Sequence, residues 1–198
     1  MEYPIMTYID PEWHRHHTTR AGEDFRDAIW LDGYEGQSVW GYDTGVSSFF
    51  AQVWSNDSAS DEPDLWLTPP DLCATWPYVL VPLIVTFTGS TPLSVVRAIG
   101  VARPAPELIN DDELCFRSAR CSADTGNPHA AGQARALDWV LGDSHRSPSD
   151  ATPVNEAQRP TAAEVDAEAH HAAGMLTLLG GAELAGVEEA LLRSLRRP

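Results

Sequence analysis

Two Asp-Thr-Gly tripeptides, Asp43-Thr44-Gly45 and Asp124-Thr125-Gly126, could carry carboxylate chemistry in this 198-residue chain. That chemistry needs two carboxylates facing each other and sharing one proton, so that one acts as base toward water and the other as acid. A second set is histidine: His14, His16 and His17 could ligate a metal, with His170 and His171 as distant partners. Adjacent His170 and His171 point about 100° apart on a helix and are poorly arranged to chelate one ion together. Solvated histidines are therefore expected. Cys73, Cys115 and Cys121 are too few for a disulfide framework, and the last two stand six positions apart, which is not a zinc-ligand spacing. They are read as buried thiols. Ser90 in "TGSTP" lacks a nucleophile-elbow pattern, and no glycine-rich phosphate loop occurs. No catalytic residue, metal or cofactor is assigned from the sequence.

The run Asp43-Thr44-Gly45-Val46-Ser47-Ser48-Phe49, with Ala98-Ile99-Gly100 beyond it, resembles the retroviral-type aspartic proteases. That resemblance implies a hydrolase using Asp43 from two subunits. The chain departs from the pattern in several places. Gly41-Tyr42 stands where apolar strand residues belong, and "DLWLTPPDL" (64–72) has no glycine for a flap. Ala98-Ile99-Gly100 closes a capped helix instead of a strand, and the second tripeptide leads into a helix. Asp43 is read as a hairpin turn residue.

A second resemblance covers about residues 40–100. Gly41, Tyr42, Asp43, Val46, Ser48, Phe49, Phe50, Ala51, Gln52 and Val53, followed by Leu65 and Trp66, are similar to an element shared by a group of small uncharacterised actinobacterial proteins. It implies a hairpin-plus-helix domain and no activity.

The elements that would position these residues follow from periodicity and turn chemistry. Residues 1–36 read as a loosely ordered lead-in with a short helix around Ala21 to Trp30. "SVWGY" and "SSFFAQVW" read as a hairpin, with Gly45 at the position needing positive φ. Phe49, Ala51 and Val53 fall on one face, and Phe50, Gln52 and Trp54 on the other. Trp40, Trp54 and Trp66 are expected as core or rim of the paired strands. An acidic loop (55–64) leads to a strand at 65–68, and Leu83 to Phe87 reads as a further strand. Thr91 and Pro92 open a helix that Gly100 ends.

Residues 37–122 thus read as one α+β domain: a small antiparallel sheet with a packed helix, followed by a C-terminal helical part. That part comprises a helix within 123–142, entered at Asn127-Pro128, then a linker (143–160) and an αα-hairpin (161–198). Thr161 and Glu164 form a capping box for the hairpin's first helix. Leu184, Val187, Leu191 and Leu195 form the apolar stripe of its second helix, and this stripe is the expected contact surface for a protein partner.

The net charge is −16, with no Lys. Residues 1–71 hold fourteen acids against three Arg, and residues 72–198 hold fifteen against ten. Such a balance disfavours direct binding of nucleic acid or anionic membrane. No apolar run is long enough to span a bilayer and no secretory signal is evident, so a cytoplasmic location is expected. The function expected is a non-enzymatic protein-interaction or regulatory module, of the kind borne on mobile elements, with a partner that is itself or another protein. The aspartic-type hydrolase is one alternative. The other is an acidic nucleic-acid mimic that binds a basic protein surface.

Overall fold

Aromatic, β-branched and apolar residues whose side chains point alternately to the two faces build the sheet. In the computed structural model, which describes residues 23–102, 106–122, 124, 126–153 and 159–196, four strands run antiparallel in the order β1-β2-β3-β4. They are β1 (Phe25–Ala28), β2 (Val39–Asp43), β3 (Ser48–Val53) and β4 (Leu65–Leu67). Trp40 pairs with Ala51, Tyr42 with Phe49, and Ala51 with Leu67. One face of the sheet is closed by Trp40, Phe49, Ala51, Val53 and Leu67, all buried. Phe25 meets Trp40 edge-on at 5.3 Å between ring centroids, and Tyr42 meets Phe49 at 4.9 Å.

Two details differ from the sequence reading. Phe25–Ala28 is a strand where a short helix was expected. Exposure alternates from Phe25 through Leu31, and that period of two belongs to a strand. Residues 23, 24, 29 and 30 of that expected helix are not helical either, and its residues 21 and 22, with most of the lead-in, lie outside the described residues. The hairpin loop holds four residues, 44–47, and the residue with positive φ is Ser47 at 52°, not Gly45. Asp43 and Ser48 are the last pair of the ladder, so the left-handed step falls on the residue re-entering β3.

The chain divides at Trp76/Pro77 into two compact units. That boundary lies inside the 37–122 segment read as one domain, because the helices after Pro77 share a core with the C-terminal helices. After a 3-10 turn at Pro77–Val79, the helices are α1 (Leu80–Thr88), α2 (Pro92–Ala98), α3 (Asp111–Ser122), α4 (Pro128–Leu141), α5 (Ala162–Leu179) and α6 (Ala182–Ser194). The protein is α+β, with its helices toward the C-terminus.

The expected strand at Leu83–Phe87 is the body of α1. A short, wholly apolar run has no period to separate the two states. Pro82 sits in the first turn of α1, where its missing N–H is not needed. Gly89, at φ 68°, closes the helix by donating to Val85 O.

Other boundaries follow their signals. Thr91 Oγ1 accepts from Ser94 N at 3.2 Å, with Pro92 next in the chain. Asn127 Oδ1 accepts from His129 N, and Gly142 ends α4 at φ 88°. The Thr161/Glu164 capping box is complete. Helix α3 had no sequence assignment; Asn110 Oδ1 caps it through Glu113 N at 2.9 Å.

Helix α6 packs most extensively on α4 and also on α5. Glycine permits the α4–α6 approach. A Cβ on Gly132 would lie 2.0 Å from Glu183 O, and one on Gly186 would lie 2.0 Å from His129 O. Val187 and Leu191 are wholly buried in this core with Leu114, Leu137, Val140 and Val165, and Leu195 is buried beside them. The stripe proposed as a contact surface is therefore internal, with only Leu184 half-buried. The α5–α6 hairpin had too thin an apolar face to stand alone, and α4 covers it.

Residues 144–153 do not behave as their linker composition suggested. Ser147 and Ser149 are buried, and Arg146 bridges Pro153. Arg159 Nε donates to Val140 O and Pro160 is buried, while linker residues 154–158 lie outside the described residues. Among the described residues, no helix is long and apolar enough to cross a membrane.

Candidate functional site

Asp43 is exposed, and its Oδ1 accepts from Gly45 N at 2.8 Å, the side-chain-to-backbone bond of an Asx turn. The same loop is braced by Asp24, whose Oδ1 accepts from both the N–H and the hydroxyl of Thr44 at 2.7 Å. These two bonds hold the exposed Asp24 carboxyl below the usual range. Asp124 is also exposed and accepts from Asn127 Nδ2 beside the α4 cap. Each of these carboxylates serves a turn.

Cys73 and Cys115 are exposed and Cys121 is half-buried, so the cysteines are not the buried thiols expected. Cys121 Sγ donates to Gln133 Oε1 at 3.3 Å, and burial pushes its thiol up from the ordinary range. Among the described residues no group of three or more His, Cys, Asp and Glu is placed to hold a metal ion. His14, His16 and His17 lie outside the described residues.

His170 and His171 are buried, not solvated. Both sit on α5 with Asp166 and Glu168, and none of the four side chains is more than 4% exposed. The 100° step between the adjacent histidines sends them to different partners. His170 Nδ1 donates to Asp166 O at 2.6 Å, and its ring stands 4.5 Å from that of Tyr78. His171 Nδ1 lies 3.8 Å from Glu168 Oε2 and makes no hydrogen bond among the described residues.

Glu168 Oε1 accepts from Ser147 Oγ at 2.6 Å and from Ser149 N at 3.3 Å. The serine hydroxyl is thus bonded to the carboxylate and not to the imidazole, which is the wrong order for an activated nucleophile. Asp150, in the same turn, is pushed up by burial. Its bonds with Thr152 and Ser147 and the charge of His171 together outweigh that push, and its carboxyl ends below the usual range. The arrangement is a polar clasp holding the 147–150 turn against α5.

The other face of the sheet has a different character. From the register, Ala28, Val39, Gln52 and Trp66 form one row across all four strands. In the next row Arg26 reaches over to Gln52 Oε1 at 3.3 Å. Phe50 leans on Gly41, where a Cβ would come within 2.9 Å of its ring. On the far side, strand alternation brings Trp30 and Trp54 onto the same face. Trp30 is 74% exposed and Trp66 is 52% exposed. Trp54 is half-buried and donates from its indole to Asp61 O at 3.4 Å.

The two loops at this end form one acidic rim. Asn56 ties them: its Nδ2 donates to Glu35 Oε2 at 2.6 Å, its Oδ1 accepts from Gly36 N, and its own N–H reaches Gly33 O. Loops 31–37 and 55–64 carry six carboxylates and no basic side chain. Glu35's own backbone N–H, then the Asn56 amide, hold its carboxyl below the usual range. Sequence reasoning put Trp54 and Trp66 on core or rim and overlooked Trp30. The sequence carried no signal for it, since Ala28, Ile29, Trp30 and Leu31 are all apolar and only the structure exposes and buries them in turn. Compared with known proteins, the chain matches no family model, no curated protein and no solved structure.

Proposed function

We propose that the chain is a non-enzymatic protein-interaction module, and that residues 23–76 dock a partner protein on the outer face of their sheet. The observation that carries this reading is the contrast between the two faces. One is closed by packed aromatic side chains, whereas the other leaves Trp30 and Trp66 largely in solvent. Large aromatic side chains are the residue type most enriched at binding hot spots, and keeping two on one open face costs solubility unless a partner covers them. The stripe on α6 does not serve this role, since it is buried within the chain. The hydrolase alternative gains no support from Asp43, whose exposed carboxylate is engaged in its own turn.

The test is site-specific photo-crosslinking in the native host. A photoreactive phenylalanine analogue replaces Trp66 in one variant and Val46 in another; Val46 is 50% exposed in the β2–β3 turn at the opposite end of the sheet. One defined protein captured from position 66 and not from position 46, and then shown to bind when purified, supports the reading. Equal labelling from both positions contradicts it.

A further inference from the structure

Resting on that interaction reading, we infer that the partner docks through an arginine-rich segment that lies along the exposed tryptophans and meets the acidic rim. The charge of the unit sets the sign. Residues 23–76 hold eleven acidic side chains and a single basic one, Arg26. Arg26 sits on the outer face and bonds Gln52, in the row that also holds Trp66, so it offsets only one of those eleven charges. A neutral apolar partner laid over Trp30 and Trp66 would strip water from the neighbouring carboxylates without replacing it, a costly exchange. A phosphate-bearing partner meets repulsion instead. Cationic segments satisfy both features.

Arginine suits this surface better than lysine. A guanidinium stacks flat on an indole, and its edge N–H groups remain free to bond a carboxylate. The rim offers carboxylates on both sides of the tryptophans: Asp32 and Glu35 follow Trp30 in the chain, while Asp61 and Asp64 lie between Trp54 and Trp66. The Asn56 bonds fix the two loops to each other, so the carboxylates form one surface instead of two wandering tips. Asp64 is held further by Ser55 N at 2.8 Å and Ser58 Oγ at 3.1 Å. Pre-set loops of this kind reduce the ordering cost of binding.

The experiment uses the full chain with three synthetic peptides, nona-arginine, nona-lysine and nona-glutamate, followed by calorimetry and tryptophan fluorescence at about 50 and about 300 mM salt. Nona-arginine is expected to bind at least about fivefold more tightly than nona-lysine, with nona-glutamate not binding. Trp30→Ser/Trp66→Ser should bring the two cationic peptides to equal affinity. Asp61→Asn/Glu62→Gln should weaken both alike. Equal affinity of the two peptides for the unaltered chain would leave only diffuse charge attraction and overturn the proposal, as would no binding of either. A second copy of the chain, or a partner without a basic segment, captured at position 66 would also overturn it, yet leave the interaction reading standing. Failure of the interaction reading itself shows separately, as equal labelling from positions 66 and 46.

Discussion

Ser147 donates a 2.6 Å hydrogen bond to Glu168 Oε1 across 21 residues of chain, and both side chains are buried. With the Ser149 N bond to the same carboxylate and the Arg135 Nε bond to Pro148 O, this contact ties a stretch rich in Ser, Pro and Asp to the helical unit. Ser147→Ala leaves the buried carboxylate short of a donor, which costs about 1–3 kcal/mol. Urea unfolding should show that loss, and hydrogen exchange at residues 147–153 should accelerate more than elsewhere. Unchanged exchange there would mean the turn is held by something other than Glu168.

The α4–α6 crossing depends on two glycines. Gly132→Ala and Gly186→Ala each force a methyl group against a carbonyl oxygen of the facing helix. Each should cost about 1–3 kcal/mol as the helices move apart. Gly126→Ala is the control, because nothing lies within 4 Å of its added Cβ; its effect should stay within about 0.5 kcal/mol. Thermal melts of the three variants decide the matter.

Leu191→Asp places a charge at a position with no solvent exposure. It should destabilise the helical unit by about 4 kcal/mol or more. Circular dichroism should report cooperative loss of helix. A change in self-association with the helices intact would instead restore the α6 stripe as a contact surface.

Burial, and then the neighbouring Glu189, push the Glu188 carboxyl up from its ordinary 4.5. The folded chain therefore keeps this proton to higher pH than the unfolded chain does. The unfolded state binds fewer protons in that window, so stability declines as pH rises from 4.5 through the raised folded value and then levels off. Glu188→Gln removes the decline. Its melting temperature should exceed that of the unaltered chain by a few degrees at neutral pH, with the gap closing in acid.

Asp43→Asn should leave the fold within about 0.5 kcal/mol of the unaltered chain. An asparagine Oδ1 can accept the same bond from Gly45 N. Chemical denaturation checks this directly, and a large loss would show that the carboxylate does more than shape its turn.

What the sequence revealed and what it hid have physical causes. Helix boundaries marked by local chemistry, such as Thr91-Pro92, Asn127-Pro128 and Thr161 with Glu164, are where the structure has them, because a cap is satisfied within four residues. The β2–β3 hairpin was legible for the same reason. Leu83–Phe87 was misread because an apolar run has no period. The burial of Glu168, His170 and His171 was hidden because α5 reads as one-sided only if a polar face must be solvated, and here turn 147–150 and Tyr78 cover that face. Trp30 was missed because its face is defined by pairing with β2, a contact across the chain.

Whether the outer sheet face docks a partner is read most directly from the affinity of the crosslinked partner for Trp30→Ser/Trp66→Ser, taken beside that variant's melting temperature. Two exposed tryptophans at a hot spot are worth at least about 2 kcal/mol together, roughly thirtyfold in Kd. Serine at positions already in solvent should leave the melting temperature nearly unchanged. The variant should lose affinity at constant stability. An unchanged Kd, or a variant that loses its fold along with its affinity, would contradict it.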